Sequence, residues 1–156
     1  MSRALNSLLP VFMTLSFCTV ANAGEYEKYL TAAEVKEATG FKEVVQKPEN
    51  GREPLKFVNE NGSIILTVRF STAKTYNKAE AVKLQLVKEE LKGIGEDAYV
   101  GPQGDLPYLL TFKKGSLAVN MTNFVNAKST KTGEASLYLT LDQVKALAKI
   151  IAAKIQ

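Results

Sequence analysis

The chain is 156 residues long, 46% hydrophobic and 23% charged, with 20 basic against 16 acidic residues and a mean hydropathy near zero. That composition belongs to an ordinary single globular domain and excludes a fibrous repeat, a disordered tail and a polytopic membrane protein. Histidine and tryptophan are absent and Cys18 is the one cysteine, which removes much metal and acid–base chemistry at the outset.

Residues 1–23, MSRALNSLLPVFMTLSFCTVANA, have the three parts of a secretory signal peptide: basic Arg3, an apolar run from Leu8 to Val20, and the small-x-small site Ala21-Asn22-Ala23. Cleavage is expected after Ala23. The apolar run is broken by Pro10 and is short of the roughly 20 residues a spanning helix needs, so no integral membrane span is expected. Lipid anchoring at Cys18 is disfavoured, because the bulky Phe17 stands where lipidation boxes want a small residue. Removing 1–23 takes away Arg3 and no acid, turning 20 basic against 16 acidic residues into 19 against 16. It also removes Cys18, so the exported chain carries neither cysteine nor histidine. The periplasm or the outside of a bacterial cell is the expected location.

Three segments carry helix starts. Thr31-Ala32-Ala33-Glu34 is a capping box with Leu30 and Val35 as a hydrophobic staple, and the helix it opens stops at Gly40. Asn77-Lys78-Ala79-Glu80 opens a second helix, expected to carry a stripe of Ala79, Val82, Leu84, Leu86, Val87 and Leu91 onto a flat surface. Thr140-Leu141-Asp142-Gln143 opens the last, with Leu139 and Val144 as staple and an apolar face of Leu147, Ala148, Ile151 and Ile155. Between the helices lie strand-like runs at Leu55–Val58, Ser63–Phe70, Tyr108–Phe112 and Leu117–Thr122. Asn61-Gly62 and Lys114-Gly115 mark hairpin turns between them. In the run 64–70, alternation sets Ile64, Leu66, Val68 and Phe70 on one face and Ile65, Thr67 and Arg69 on the other.

The parts recur. Shifting the chain by 53 residues lays Glu37 on Glu90, Gly40 on Gly93, Gly51 on Gly104, Pro54 on Pro107 and Gly62-Ser63 on Gly115-Ser116. Apolar positions agree as well, Ile64 with Leu117 and Val68 with Met121 among them. This predicts an α+β domain over 24–156: a duplicated helix-plus-three-strand unit, about 24–76 and 77–139, forming an antiparallel sheet covered on one face by helices. Residues 140–156 form its closing helix.

Catalytic and metal constellations are missing. A Ser-His-Asp or Cys-His arrangement is impossible without histidine, and no Ser-x-x-Lys opens a helix, although Ser71, Ser116 and Ser129 have lysines near them. Glu89-Glu90, read on a helix, point apart and do not make a carboxylate pair. Glu96-Asp97 and Asp105 lack the spacing of a calcium loop. Gly93-Ile94-Gly95 follows a helix and precedes a strand, the reverse of a phosphate-binding loop, and reads as a helix stop and tight turn. No enzyme activity, cofactor or metal is expected. The mild positive charge is spread among acids, and the basic stretch Lys128–Gly133 reads as a solvated loop, so no nucleic-acid partner is expected.

Two Pro- and Gly-rich loops, Gln46–Pro54 and Tyr99–Pro107, would form a pair under the duplication. Such a pair at one end of a sheet makes a binding rim, for which Tyr99, Tyr108, Asp105 and Arg52 are the candidate residues.

Gly93-Ile94-Gly95-Glu96-Asp97-Ala98-Tyr99 resembles the Gly-Leu-Gly-Asp-x-Ala-Tyr phrase of small exported bacterial lipoprotein and sensor-like domains. The Leu30-Thr31 to Gly40-Phe41 segment and the Leu141–Val144 helix are similar to theirs in placement. Such domains include extracellular sensor domains of actinobacterial kinases, with a duplicated α+β architecture and a cleft. They usually carry disulfides and often a lipidation cysteine, neither of which remains here after Ala23. The resemblance implies a noncatalytic module, in line with the residues: an exported binding or sensor-like module recognising an envelope or secreted protein, or a small ligand. A structural or assembly component of the cell envelope is the alternative.

Overall fold

A computed structural model describes residues 24–47, 54–103, 106–126 and 136–156. The signal-like segment 1–23, the stretch with Arg52, residue Asp105 and the basic stretch Lys128–Gly133 lie outside them. The architecture is α+β. One seven-stranded antiparallel sheet has the order β1-β2-β3-β7-β6-β5-β4, with β1 Val44–Lys47, β2 Leu55–Asn59, β3 Ile64–Thr72, β4 Glu89–Leu91, β5 Asp97–Gln103, β6 Leu106–Lys114 and β7 Leu117–Asn123. Among the described residues three helices accompany it: α1 Ala32–Thr39, α2 Lys78–Lys83 and α3 Leu141–Lys154. Among the described residues, no helix is long and apolar enough to cross a membrane.

The helix starts form as their sequences dictate. Thr31 Oγ1 accepts from Glu34 N at 3.3 Å while Glu34 Oε2 accepts from Thr31 N at 2.9 Å. The Thr140–Gln143 pair repeats this at 3.2 and 2.9 Å. Both staples, Leu30 with Val35 and Leu139 with Val144, are buried in the core. Each box satisfies amides that the helix itself leaves orphaned. The two helices are then tied together by Gln143 Nε2 donating to Thr39 O at 3.1 Å and by the Lys154–Glu34 ion pair at 2.6 Å.

The pleat divides the sheet into two faces. Register sets Leu55, Val68, Met121, Leu110 and Val100 in one row across the strands, and Phe70, Val119, Phe112, Ala98 and Leu91 in another. These rows pack under α1 and α3 as the core. Asn123, on the same face, is almost wholly buried; it donates to Leu139 O at 2.7 Å and accepts from Leu139 N at 3.2 Å. It thereby fixes the entry to α3 and satisfies two backbone groups that no helix or ladder serves.

Four expectations are corrected. Ile65 does not share the open face with Thr67 and Arg69. A bulge near Phe57/Val58 breaks the β2–β3 register, and Ile65 joins the core cluster; the alternation holds from Leu66 onward. The second helix does not run to Leu91. It stops at Lys83, and residues 89–91 are strand β4. The stop is a Schellman motif without glycine: Gln85 takes φ 57°, its N–H donates to Val82 O, and Leu86 N–H donates to Ala81 O at 2.8 Å. Consequently Gly93-Ile94-Gly95 is not a helix stop but the turn from β4 into β5, with Ile94 buried in the core. Finally, helices do not all sit on one face, since α2 lies over the other.

Candidate functional site

The strand directions separate the strand ends that flank the two loops expected to form a rim. β2 and β7 both run antiparallel to β3, and β6 runs antiparallel to β7, so β2 and β6 point in opposite directions. The facing ends of β1 and β2, at Lys47 and Leu55, therefore lie at the opposite end of the sheet from those of β5 and β6, at Gln103 and Leu106. The second loop is also shorter than expected, because β5 extends to Gln103 and β6 begins at Leu106. Arg52 and Asp105 are outside the described residues, and Tyr108 is placed as a residue of β6. Tyr99 is placed fully: it stands on β5, only 9% exposed, under the segment that contains α2.

That segment makes the site. After β3, a 3-10 turn (Ala73–Thr75) leads across the open face of the sheet into α2, whose start is capped by Asn77 Oδ1 accepting from Glu80 N at 3.0 Å. Lys78, in the first turn, bridges Asp97 at 2.9 Å and Glu90 at 3.0 Å. These contacts, the Asp97 hydrogen bond foremost, raise the lysine's pKa and keep it charged. The roof is thus pinned to β5 and β4. Its far end is held where Lys88 N donates to Val100 O at 2.8 Å. Glu89 and Glu90 stand on a strand rather than a helix, so the pleat sends them to opposite faces. Glu89 meets Lys145 of α3 at 3.1 Å, and Glu90 meets Lys78.

Between roof and sheet lies a cleft of about 240 Å³, with Tyr99, Thr111, Ala118 and Asn120 as its floor. Tyr76, Asn77, Glu80, Ala81, Leu84 and Leu86 line its upper side. The floor is polar and ordered, with Thr111 Oγ1 donating to Asn120 Oδ1 at 2.9 Å. Tyr76 and Tyr99 meet at 6.0 Å between ring centroids, and Lys113 Nζ stands 5.9 Å over the Tyr76 ring. Burial first, then the Asp97 carboxylate, pushes the Tyr76 phenol well above its ordinary pKa of 10. Among the described residues its buried hydroxyl, beside the Asp97 carboxylate, has no partner in hydrogen-bond geometry.

At the lip, Leu84 and Leu86 are 59% and 50% exposed. The sequence placed Tyr99 near the site for a different reason, and it missed Tyr76, Thr111 and Asn120. Thr111 and Asn120 read as the polar half of alternating strands, and only the strand register reveals that they adjoin.

Among the described residues, no group of three or more His, Cys, Asp or Glu side chains comes together to hold a metal ion. Compared with known proteins, the chain matches no family model, no curated protein and no solved structure.

Proposed function

We propose that the protein is an exported, noncatalytic binding module, sensor-like in build, and that the cleft under α2 is where it binds. The observation that carries this reading is the contrast between floor and lip. Two large apolar side chains, Leu84 and Leu86, stand half-exposed beside a concave floor of Tyr, Thr and Asn, the mixture of apolar walls and few placed polar groups that small-ligand sites use. The signal-like N-terminus supports export to the periplasm or beyond, and the absence of histidine supports a role other than acid–base catalysis.

We further propose that the domain arose by duplication. Shifted by 53 residues, β1 falls on the start of β5, β2 inside β6 and β3 on β7, while Gly40 and Gly62 fall on Gly93 and Gly115, all at positive φ. The helices do not follow: α1 shifted falls on 85–92, which is turn and strand.

Native mass spectrometry of the protein recovered gently from periplasmic extract tests the function. Mass that is lost on denaturation supports a retained small ligand. A mass equal to the bare chain or to whole multiples of it favours recognition or assembly between proteins. The alternative, an envelope assembly component, is favoured by Val45, 56% exposed on the edge strand β1. Concentration-dependent oligomers abolished by Val45→Lys would support it, and a monomer at high concentration would oppose it.

A further inference from the structure

Five strands set their open-face side chains in one row: Arg69, Asn120, Thr111, Tyr99 and Glu90. The row runs from β3 into the cleft and out to β4. At its far end Glu90 is neutralised by Lys78, which also holds Asp97, and on the roof Glu80 pairs with Lys83 at 3.6 Å. At the near end Arg69 is exposed and has no ion-pair partner among the described residues. Beside it, Asn120 has its carbonyl oxygen engaged by Thr111, which leaves its amide NH2 as the group to offer. Among the described residues, the guanidinium and the amide NH2 on these paired positions share no acceptor. Leu84 and Leu86 line the same cleft with apolar surface.

We propose that the cleft takes a small amphipathic monocarboxylic acid, its carboxylate on Arg69 and Asn120 Nδ2 and its apolar body along Leu84, Leu86 and the Tyr99 ring. The proposal rests on the cleft being the binding site. Carboxylate is the acceptor that matches the guanidinium fork. A phosphate brings a second negative charge towards Glu80, Glu90 and Asp97, whose cations are already engaged, and an amine meets Arg69 with like charge. At about 30 Å³ per water in the liquid, the cleft holds about eight heavy atoms, the size of hexanoate.

The test is a two-dimensional NMR titration of the protein, as recovered from an exporting host, with hexanoate and with 1-hexanol as its uncharged counterpart. Hexanoate is expected to shift the Asn120 side-chain amide and the Leu86 backbone amide, with hexanol binding about tenfold more weakly. Arg69→Gln, an exposed change that should leave the melting temperature in place, is expected to abolish that preference and leave hexanol binding unaltered. Equal binding of acid and alcohol in the cleft, or a preference that survives Arg69→Gln, overturns the carboxylate assignment while keeping the cleft as a site. If neither probe perturbs the cleft, the inference is also overturned. The binding function is then decided separately, by whether mass retained in the native measurement survives Leu84→Ser combined with Leu86→Ser.

Discussion

Replacing Asn123 with alanine should be among the most damaging single changes in the core. The side chain is 1% exposed and serves both backbone groups of Leu139, itself buried, through bonds of 2.7 and 3.2 Å. Truncation leaves a buried N–H and a buried C=O unsatisfied, each at about 1–3 kcal/mol. A loss of about 3 kcal/mol is expected, a large share of the roughly 5–15 kcal/mol that holds a domain together. For a domain of this size that corresponds to a fall in Tm of about 10 °C. Urea and thermal denaturation followed by circular dichroism measure it. Asn123→Asp sharpens the test. Its carboxylate can still accept from Leu139 N–H but cannot donate to Leu139 C=O, and it must be charged inside the core at neutral pH. Burial raises such a group's pKa, so its deficit relative to the wild type should be full at neutral pH and shrink as pH falls and the group protonates. A fall of less than about 3 °C for Asn123→Ala, or a deficit for Asn123→Asp that does not change with pH, would refute the view that this residue anchors α3.

Other sites yield narrower expectations. Burial acts to raise the pKa of Glu34, but its bonds to Lys154 and Thr31 prevail and hold it below the ordinary 4.5. A depressed carboxyl contributes stability above its unfolded pKa and loses it as pH falls through the folded value. Glu34→Gln, which keeps a capping-box residue, should therefore cost about 0.5 kcal/mol at pH 7 and nothing at pH 2, read by urea titration at both. Gly95 has φ 58°, and a Cβ there would run into the backbone carbonyl of Lys113, whereas at Gly93, φ 75°, it would meet nothing within 4 Å. Gly95→Ala should thus cost at least about 2 kcal/mol and Gly93→Ala about 1 kcal/mol; equal melting temperatures for the two variants would contradict this. Gln85→Gly relieves a left-handed backbone at the end of α2 and should stabilise by about 0.5 kcal/mol, whereas a lowered Tm would show that the Gln85 side chain matters more than its backbone.

What the sequence displayed clearly was whatever local chemistry decides. Both Thr-led capping boxes, the Asn77 cap, the Asn61-Gly62 turn and the closing helix stand where their residues place them, because a cap or a hairpin turn is settled within about five residues. The end of α2 was not legible for the complementary reason. Val82, Leu84, Leu86, Val87 and Leu91 look like one apolar helical face, and no glycine or proline interrupts them. Gln85 supplies the left-handed turn instead, a conformation disfavoured for its residue type and sustained by the bonds of Leu86 to Ala81 and Lys88 to Val100. Tertiary pairing of β4 with β5 then overrides helical propensity at Glu89–Leu91. Part of the misread stripe, Leu84 and Leu86, lines the cleft and stands half-exposed, while Leu91 packs against the core. The floor was illegible because adjacency across β3, β7, β6 and β5 depends on register, which no short run of residues specifies by itself.

The position of the cleft follows from an asymmetry between the halves. Under the duplication we propose, a two-fold relation normal to the sheet would put α1 and its counterpart on the same face. α1 does pack on the core face, but over β6 and β7 that face is taken by α3, the element that has no partner in the repeat. α3 spans 14 residues and buries Val144, Leu147, Ala148, Ile151 and Ala152, whereas α2 spans six and buries Ala81. At about 25 cal/mol per Å² of apolar surface removed from water, the longer and more apolar helix wins the core face, and the shorter segment is left to cross the other one. There it meets a floor of Thr111, Asn120 and Tyr99 that offers little apolar surface, so it is fastened by the Lys78 ion pairs and by backbone bonds at its far end. A roof fastened at its ends and poorly filled beneath leaves a cleft. Leu84 and Leu86, which follow α2 and stay half-exposed, stand at the mouth of that cleft.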